Sequence, residues 1–299
     1  MVKQNVIVVA VDGSAASQTA ARWAANTALK RKEPIRLVST YSMPQFLYAE
    51  GMVPPQELYD DLEAEAMEKI DTARKIIAEF DESVEVSYQV EEGNPIDMLL
   101  DISQDVTMIV MGSRGLGGFS GMVMGSVSAA VVSHAKCPVI VVREESDVST
   151  ATKYGPVVVG VDGTGVAEKA IEMAFAEASA RKAPLRAVHT WIDMQVQASL
   201  AGLNAAQKQR EEIEEDQKRL LAERISGYKD KYPDVEVEQI ITRDRPVRAL
   251  ADASEDAQLL VVGSHGRGGF RGMLLGSTSR ALLQEAPCPL MVVRPESKV

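Results

Sequence analysis

The sequence is poor in the residues that usually announce chemistry. It has 2 cysteines and 3 histidines among 299 residues. Cys137 and Cys288 stand at matching places in the two halves of the chain, each just before a proline. Two such residues exclude a disulfide-dense scaffold and read as small buried side chains in a reducing cytoplasm. His134, His189 and His265 are scattered, so no cluster with metal-ligand spacing is expected. Positive charge is scarce as well: Lys and Arg number 32 against 43 Asp and Glu, a net charge of −11. That balance argues against a nucleic-acid surface, which needs a basic stripe, although not against a local basic site for phosphates. No apolar run reaches the ~18 residues of a membrane helix. The chain passes almost at once into strand-like residues 6–11, so neither a signal peptide nor a membrane partner is expected.

What the sequence does contain is one stretch that occurs twice. Met111-Gly112-Ser113-Arg114-Gly115 is followed, nine residues on, by Gly125-Ser126. Val262-Gly263-Ser264-His265-Gly266 is followed, again nine residues on, by Gly276-Ser277. An apolar run precedes each copy and a helix-like segment follows it, at 126–136 and 277–285. Each copy therefore reads as strand, glycine loop, helix N-terminus. Glycine tolerates φ > 0 and lets a ligand approach the backbone closely. Free N–H groups and the positive end of the helix dipole suit a phosphate. Ser126 and Ser277 are placed either to cap their helices or to donate a hydroxyl to a phosphate oxygen. Two familiar phosphate motifs are missing. No Gly-Lys-Ser/Thr is present at either copy, which excludes a P-loop. Asp12-Gly13-Ser14 does not supply the G-x-G-x-x-G of a dinucleotide-binding turn.

The whole chain repeats. Val11-Asp12-Gly13-Ser14 recurs as Val161-Asp162-Gly163-Thr164, an offset of 150 residues. From Pro95 and Pro246 onward the offset is 151, so the second half has gained one residue. A period this long indicates a duplicated domain rather than a solenoid. The expected division is one domain over 1–145, a polar linker over 146–154 and a second domain over 155–299.

Each half alternates strand and helix. In the first half strands are expected at 5–11, 35–41, 84–90, 106–111 and 139–142. Helices are expected at 14–30, 54–80 and 95–104. The first has an alanine-rich face and Ser14 or Ser17 as its cap. The second carries an apolar stripe from Leu58 through Ile70 to Phe80. In the second half the helix around 205–228 is highly charged and reads as a solvated face. Apolar strands joined by crossover helices make a parallel sheet covered on both sides. The fold class is α/β, with two doubly wound domains in tandem.

The motif G-x2-G-x9-G-[ST], twice with identical spacing, resembles that of the nucleotide-binding universal stress proteins. The resemblance extends over nearly the whole chain. It implies a Rossmann-like five-stranded parallel sheet of order 3-2-1-4-5 in each half. Strands 1 and 4 then adjoin at the switch point where such folds bind ligands. It also implies an ATP site in each half, with or without magnesium, and with ADP or AMP as alternatives. Asp12 and Asp162 would accept hydrogen bonds from ribose hydroxyls. Thr40 and Thr190 would meet the adenine edge through their backbone. Met111, Gly112, Arg114, Gly115, Gly125, Ser126 and Val127 would line the first site about the phosphates. Val262, Gly263, His265, Gly266, Gly276, Ser277 and Thr278 are their counterparts. Arg114 against His265 is the main local difference. Arginine keeps its charge while histidine changes charge near neutral pH, so the two sites are expected to differ in affinity and pH response. The family dimerises through its last strand, which implies pairing of the two halves through 139–142 and 290–293, and further association into a homodimer.

The resemblance implies a cytoplasmic stress-response regulator. The main rival is a slow ATP hydrolase or phosphotransferase on the same fold. Such a reaction needs positioned charge and a residue to orient the nucleophile, and only Asp12 is near the loop. A response-regulator phosphoacceptor would need an acidic pair after strand 1, which Val9-Ala10-Val11-Asp12 does not provide. The Ser-Gly-Gly-x-Asp-Ser signature of adenylating synthetases is absent too.

Overall fold

The computed structural model of the chain describes residues 4–43, 54–116, 124–146, 154–164, 167–191, 203–266 and 274–295. The chain divides into two compact units, Met1–Val148 and Ser149–Val299. The first unit runs β1 (Ile7–Ala10), α1 (Ala15–Arg31), β2 (Ile35–Tyr41), α2 (Gln56–Phe80), β3 (Val86–Glu92), α3 (Pro95–Ile102), β4 (Met108–Gly112), α4 (Ser126–His134) and β5 (Val139–Val142). The second runs β6 (Val157–Gly160), α5 (Ala167–Arg181), β7 (Leu185–Thr190), α6 (Leu203–Lys231), β8 (Val237–Thr242), α7 (Pro246–Asp252), β9 (Leu259–Gly263), α8 (Ser277–Glu285) and β10 (Leu290–Val293).

The strands of each unit are parallel. Their order is β3-β2-β1-β4-β5 in the first and β8-β7-β6-β9-β10 in the second. Within the first unit α1 lies beside α2 and α3 beside α4, so helices cover both faces of the sheet. The second unit repeats this with α5 beside α6 and α7 beside α8. Each unit is thus the expected doubly wound α/β domain. Strands β1 and β4 pair in the register Ile7↔Met108, and the direction of the strand order reverses between them.

Local sequence explains the elements that frame this junction. α1 is an alanine helix, and Ala20, Ala21, Ala24 and Ala25 are all fully buried. Small side chains let it lie close to β4. A Cβ added to Gly112, at the end of β4, would stand 2.9 Å from Ala16 and from Ser17 N. Ser14 caps the helix, its hydroxyl accepting from Ser17 N at 3.2 Å. Lys32 ends it in the left-handed conformation at φ 54, and Lys182 does the same after α5 at φ 51.

Two expectations about covering need correction. The third strand is not uniformly apolar. β3 is the edge of its sheet and mostly open, with Tyr88 50% exposed. A parallel strand is buried on both faces only in the middle of the sheet; at this edge α2 is its main cover. The apolar stripe of α2 is also shorter than its spacing suggests. Ala66, Ile70, Ala73, Ile76 and Ile77 are buried, but Phe80 in the last turn is 41% exposed. Full burial of a side chain such as Ile70 contributes about 1.5–3 kcal/mol.

Candidate functional site

The site begins at the turn after β1. Gly13 has φ +88 and its counterpart Gly163 has φ +78, the left-handed region that favours glycine. This tight turn brings the carboxylate of Asp12 over the start of α1. Its Oδ1 accepts from Ser14 N at 3.0 Å and from Ser14 Oγ at 2.7 Å. Its Oδ2 accepts from Leu116 N at 3.3 Å. Asp12 therefore does not cap α1, since Ser14 does. It ties the start of α1 to the glycine loop that leaves β4. The second unit builds the same turn: Asp162 Oδ1 accepts from Thr164 N at 2.9 Å and Thr164 Oγ1 at 2.7 Å.

The glycine loop is closed at its base by the backbone. Ser113 N donates to Val142 O and Gly125 N to Ser113 O, each at 2.8 Å. In the second unit Ser264 N donates to Val293 O and Gly276 N to Ser264 O, each at 2.7 Å. One turn into each following helix a serine grips the strand end. Ser128 Oγ donates to Gly112 O at 2.8 Å, and Ser279 Oγ to Gly263 O at 2.6 Å.

The helix starts differ from one expectation. The N-caps are Gly125 and Gly276, and neither has a side chain to offer the first N–H groups. Ser126 and Ser277 occupy the first helical positions, so they are not the caps. Backbone donors at both helix starts are thereby left without a side-chain cap, which favours an anion there. One of the two uses expected of the loop glycines, freedom in φ, is not found at Gly115 or Gly266, neither of which has a left-handed φ. They are needed for space: a Cβ on Gly115 would strike Asp12 Oδ2, and one on Gly266 would lie 2.7 Å from Asp162 Oδ2.

Around the first loop the structure opens a cavity of about 720 Å³. Asp12, Thr40, Met111, Gly112, Arg114, Gly115, Gly125, Ser126 and Val127 all line it. These nine come from four separate stretches of chain and meet beyond the carboxyl ends of β1, β2 and β4. Met98 and Leu99 of α3 and Val38 of β2 add an apolar wall. By sequence these three look like ordinary core residues. Lys69 of α2 also lines the cavity, and nothing in a lone lysine on an amphipathic helix could have marked it.

Arg114 lines the cavity but is engaged from outside. Its Nη2 lies 3.0 Å from Glu145 Oε1, and Arg143 Nε is 3.6 Å from Glu145 Oε2. The Glu145 backbone N–H, with Arg143 and Arg114, holds that carboxyl below the usual range. The Arg114 pair is exposed, and such pairs contribute about 0–1 kcal/mol, so an anion could take the arginine at small cost.

In the second unit Val262 and Gly263 end β9, Thr190 ends β7, and Ser277 and Thr278 open α8. His265 Nδ1 is 3.0 Å from Ser264 Oγ. One difference between the units lies outside the repeated motif. Ser39 lines the first cavity, whereas the residue 150 places on is the fully buried His189. Its Nδ1 lies 2.6 Å from Val161 O and its Nε2 2.9 Å from Gln217 Oε1 of α6. The imidazole braces the residue before Asp162. The cysteines are remote from this chemistry: both are buried, and burial pushes the Cys288 thiol up to about 12. Among the described residues no group of three His, Cys, Asp or Glu side chains is placed to hold a metal ion. No described helix is long and apolar enough to cross a membrane.

Two doubly wound domains, each with an acidic turn and a glycine loop meeting where the strand order reverses, define a tandem α/β protein with paired candidate ligand sites. Comparison with known proteins agrees: the universal stress protein family profile matches residues 4–143 and again 153–294. The chain belongs to the universal stress protein family. Universal stress protein Rv1996 of Mycobacterium tuberculosis is 39% identical over 302 residues, covering 96% of this chain and 94% of that protein. Universal stress protein Rv2005c of the same organism is 39% identical over 298 residues, covering 98% of each chain. Among solved structures, a universal stress protein from Archaeoglobus fulgidus covers 97% of this chain and 98% of its own, with a TM-score of 0.67 and 21% identity. That likeness concerns the fold alone.

Proposed function

We propose that the protein binds an adenine nucleotide, ATP in the first instance, at one site per domain, and that this binding serves stress-response regulation. The observation that carries the reading is the cavity on which nine residues of four chain segments converge. Its volume of about 720 Å³ lies within the ~300–1,000 Å³ of small-molecule sites. Its parts suit the parts of a nucleotide. The wall of Val38, Met98 and Leu99 offers apolar contact to a purine. The Asp12 carboxylate retains acceptor capacity for ribose hydroxyls. The uncapped start of α4, with Ser126 and Arg114, offers N–H, hydroxyl and guanidinium donors to phosphates. The Asp162 and Gly263–Gly266 turns repeat the same backbone arrangement, which supports a second site. Titration calorimetry of nucleotide-free protein should give about two equivalents of ATP per chain. A stoichiometry near zero in folded protein would refute the reading. Mass spectrometry of nucleotide released from purified protein identifies ATP, ADP or AMP, and a timed assay for ADP separates binding from turnover. Association of chains into a dimer belongs to the same proposal and is checked by sedimentation.

The second site should respond more to pH than the first. A histidine facing a phosphate gains a cation as it protonates, while Arg114 stays charged throughout. Affinity at the second site, isolated in Gly115→Val, should rise as the pH falls relative to the first site, isolated in Gly266→Val. Phosphate protonation acts against both sites alike, so the comparison between sites is the measurement. Equal slopes at the two sites would remove His265 from the phosphate.

A further inference from the structure

The first cavity is lined by two cations from different layers of the fold. Arg114 belongs to the glycine loop, and Lys69 to the middle of α2. We infer that Lys69 is a phosphate-binding residue of the first site, reaching the phosphoryl group nearest the ribose from across the Asp12-Gly13 turn. This rests on the nucleotide reading above.

Three observations place it there. First, the stem is fixed. The side chain is only 24% exposed, and Cγ, Cδ and Cε lie 3.1, 3.5 and 3.7 Å from the position of a Cβ on Gly13. The lysine therefore crosses the turn that carries Asp12, and the glycine there makes room for it. Second, the ammonium is held by a releasable partner. Lys69 Nζ lies 2.7 Å from Glu65 Oε1, one turn earlier on the same helix, and the Glu65 side chain is 60% exposed. The hydrogen bond and charge of Lys69 hold the Glu65 carboxyl below its ordinary range. An i,i+4 pair with one partner open to solvent is weak, and the ammonium at the end of that stem can turn from Glu65 to a phosphate. Third, the second unit treats the same place differently. There Arg224 of α6 lies against the Asp-Gly turn, with Nη2 donating to Gly163 O at 3.0 Å and Nη1 to Glu168 Oε1 at 3.1 Å. One arm of its fork is bound to backbone, so it clamps the turn, whereas Lys69 has only its apolar stem on Gly13. The two sites then differ in how many movable cations meet the ligand.

The test uses the full chain with the second site blocked by Gly266→Val. In that background Lys69→Met should weaken AMP and ATP by roughly tenfold each, as expected for one lost charged hydrogen bond. Adenosine, which has no phosphate, should bind as before. The affinity for AMP should also fall less steeply with salt in Lys69→Met, and Lys69→Arg should restore most of the loss. Glu65→Gln, which frees the ammonium, should tighten AMP. If Gly266→Val binds AMP and Lys69→Met binds it equally well, the inference falls and the nucleotide reading stands. A loss as large for adenosine as for AMP means that Lys69 acts through packing, and the inference falls. If the wild-type chain takes up no adenine nucleotide, the reading itself fails and takes the inference with it.

Discussion

Gly115→Val combined with Gly266→Val should abolish nucleotide binding at both sites and leave the fold in place. A Cβ at position 115 would strike Asp12 Oδ2. That carboxylate cannot simply rotate away, because its other oxygen accepts from Ser14 N and Ser14 Oγ. Moving it also strips Leu116 N of its acceptor and so disturbs the glycine loop itself. The second site meets the same conflict, with Asp162 Oδ2 2.7 Å from a Cβ at position 266 and Thr164 holding the other oxygen. Valine adds two further methyl groups beside the loop, where a ligand needs close approach to the backbone. A loss of at least about 100-fold at each altered site corresponds to roughly 2.8 kcal/mol. Each single variant should keep one equivalent of ATP, and the double variant none. Calorimetry reads the stoichiometry, and circular dichroism with a thermal scan reads the fold. Two retained equivalents in the folded double variant would dismiss both loops as phosphate sites.

The residues on which this rests are visible in the amino-acid sequence. The glycine loop stands out because it occurs twice at one spacing, and Asp12 and Asp162 stand out by the same repetition. Strand positions follow from apolar runs, and the order 3-2-1-4-5 comes from the family resemblance. In the structure those strands bring the two motifs to one end of the sheet. What is not legible depends on distances through space. Whether Ser126 or Gly125 takes the cap is decided by where the backbone leaves the helix, and both residues suit the position. Gly115 looks like a conformational glycine in sequence, but the structure shows that it is required by the nearness of Asp12. Phe80 continues the spacing of its stripe, yet it lies where the helix has outrun its cover. Lys69 is a charged residue on a helix full of them, and only the fold sets it over Gly13. His189 carries no signal in sequence either, because its partners Val161 and Gln217 lie 28 residues away on either side.

Phe175→Ala should cost the second unit about 3–5 kcal/mol, the usual penalty for removing a fully buried aromatic side chain. Phe175 has no exposed surface and is among the largest fully buried side chains of the protein. It stacks on Tyr228 in the last turn of α6 at 5.6 Å and on Tyr232, just past its end, at 5.9 Å. Nearly half of that helix is charged, so these rings, with Leu221 and Ile225, supply much of what holds it down. The rest of its attachment is polar: Tyr228 Oη donates to Glu168 O at 3.1 Å, and burial raises the Tyr228 phenol above its ordinary range. A cavity under the rings would loosen α6 along its length. Two residues that brace the second site ride on that helix, Arg224 on Gly163 and Gln217 on His189. Urea denaturation should therefore show an early transition in Phe175→Ala. ATP affinity at the second site, isolated in Gly115→Val, should fall along with stability. Affinity at the first site, isolated in Gly266→Val, should not change. The smaller truncation Phe175→Leu, which leaves a smaller cavity, should cost less on both counts. A stability loss of the expected size with unchanged second-site affinity would show that α6 does not support the Asp162 turn.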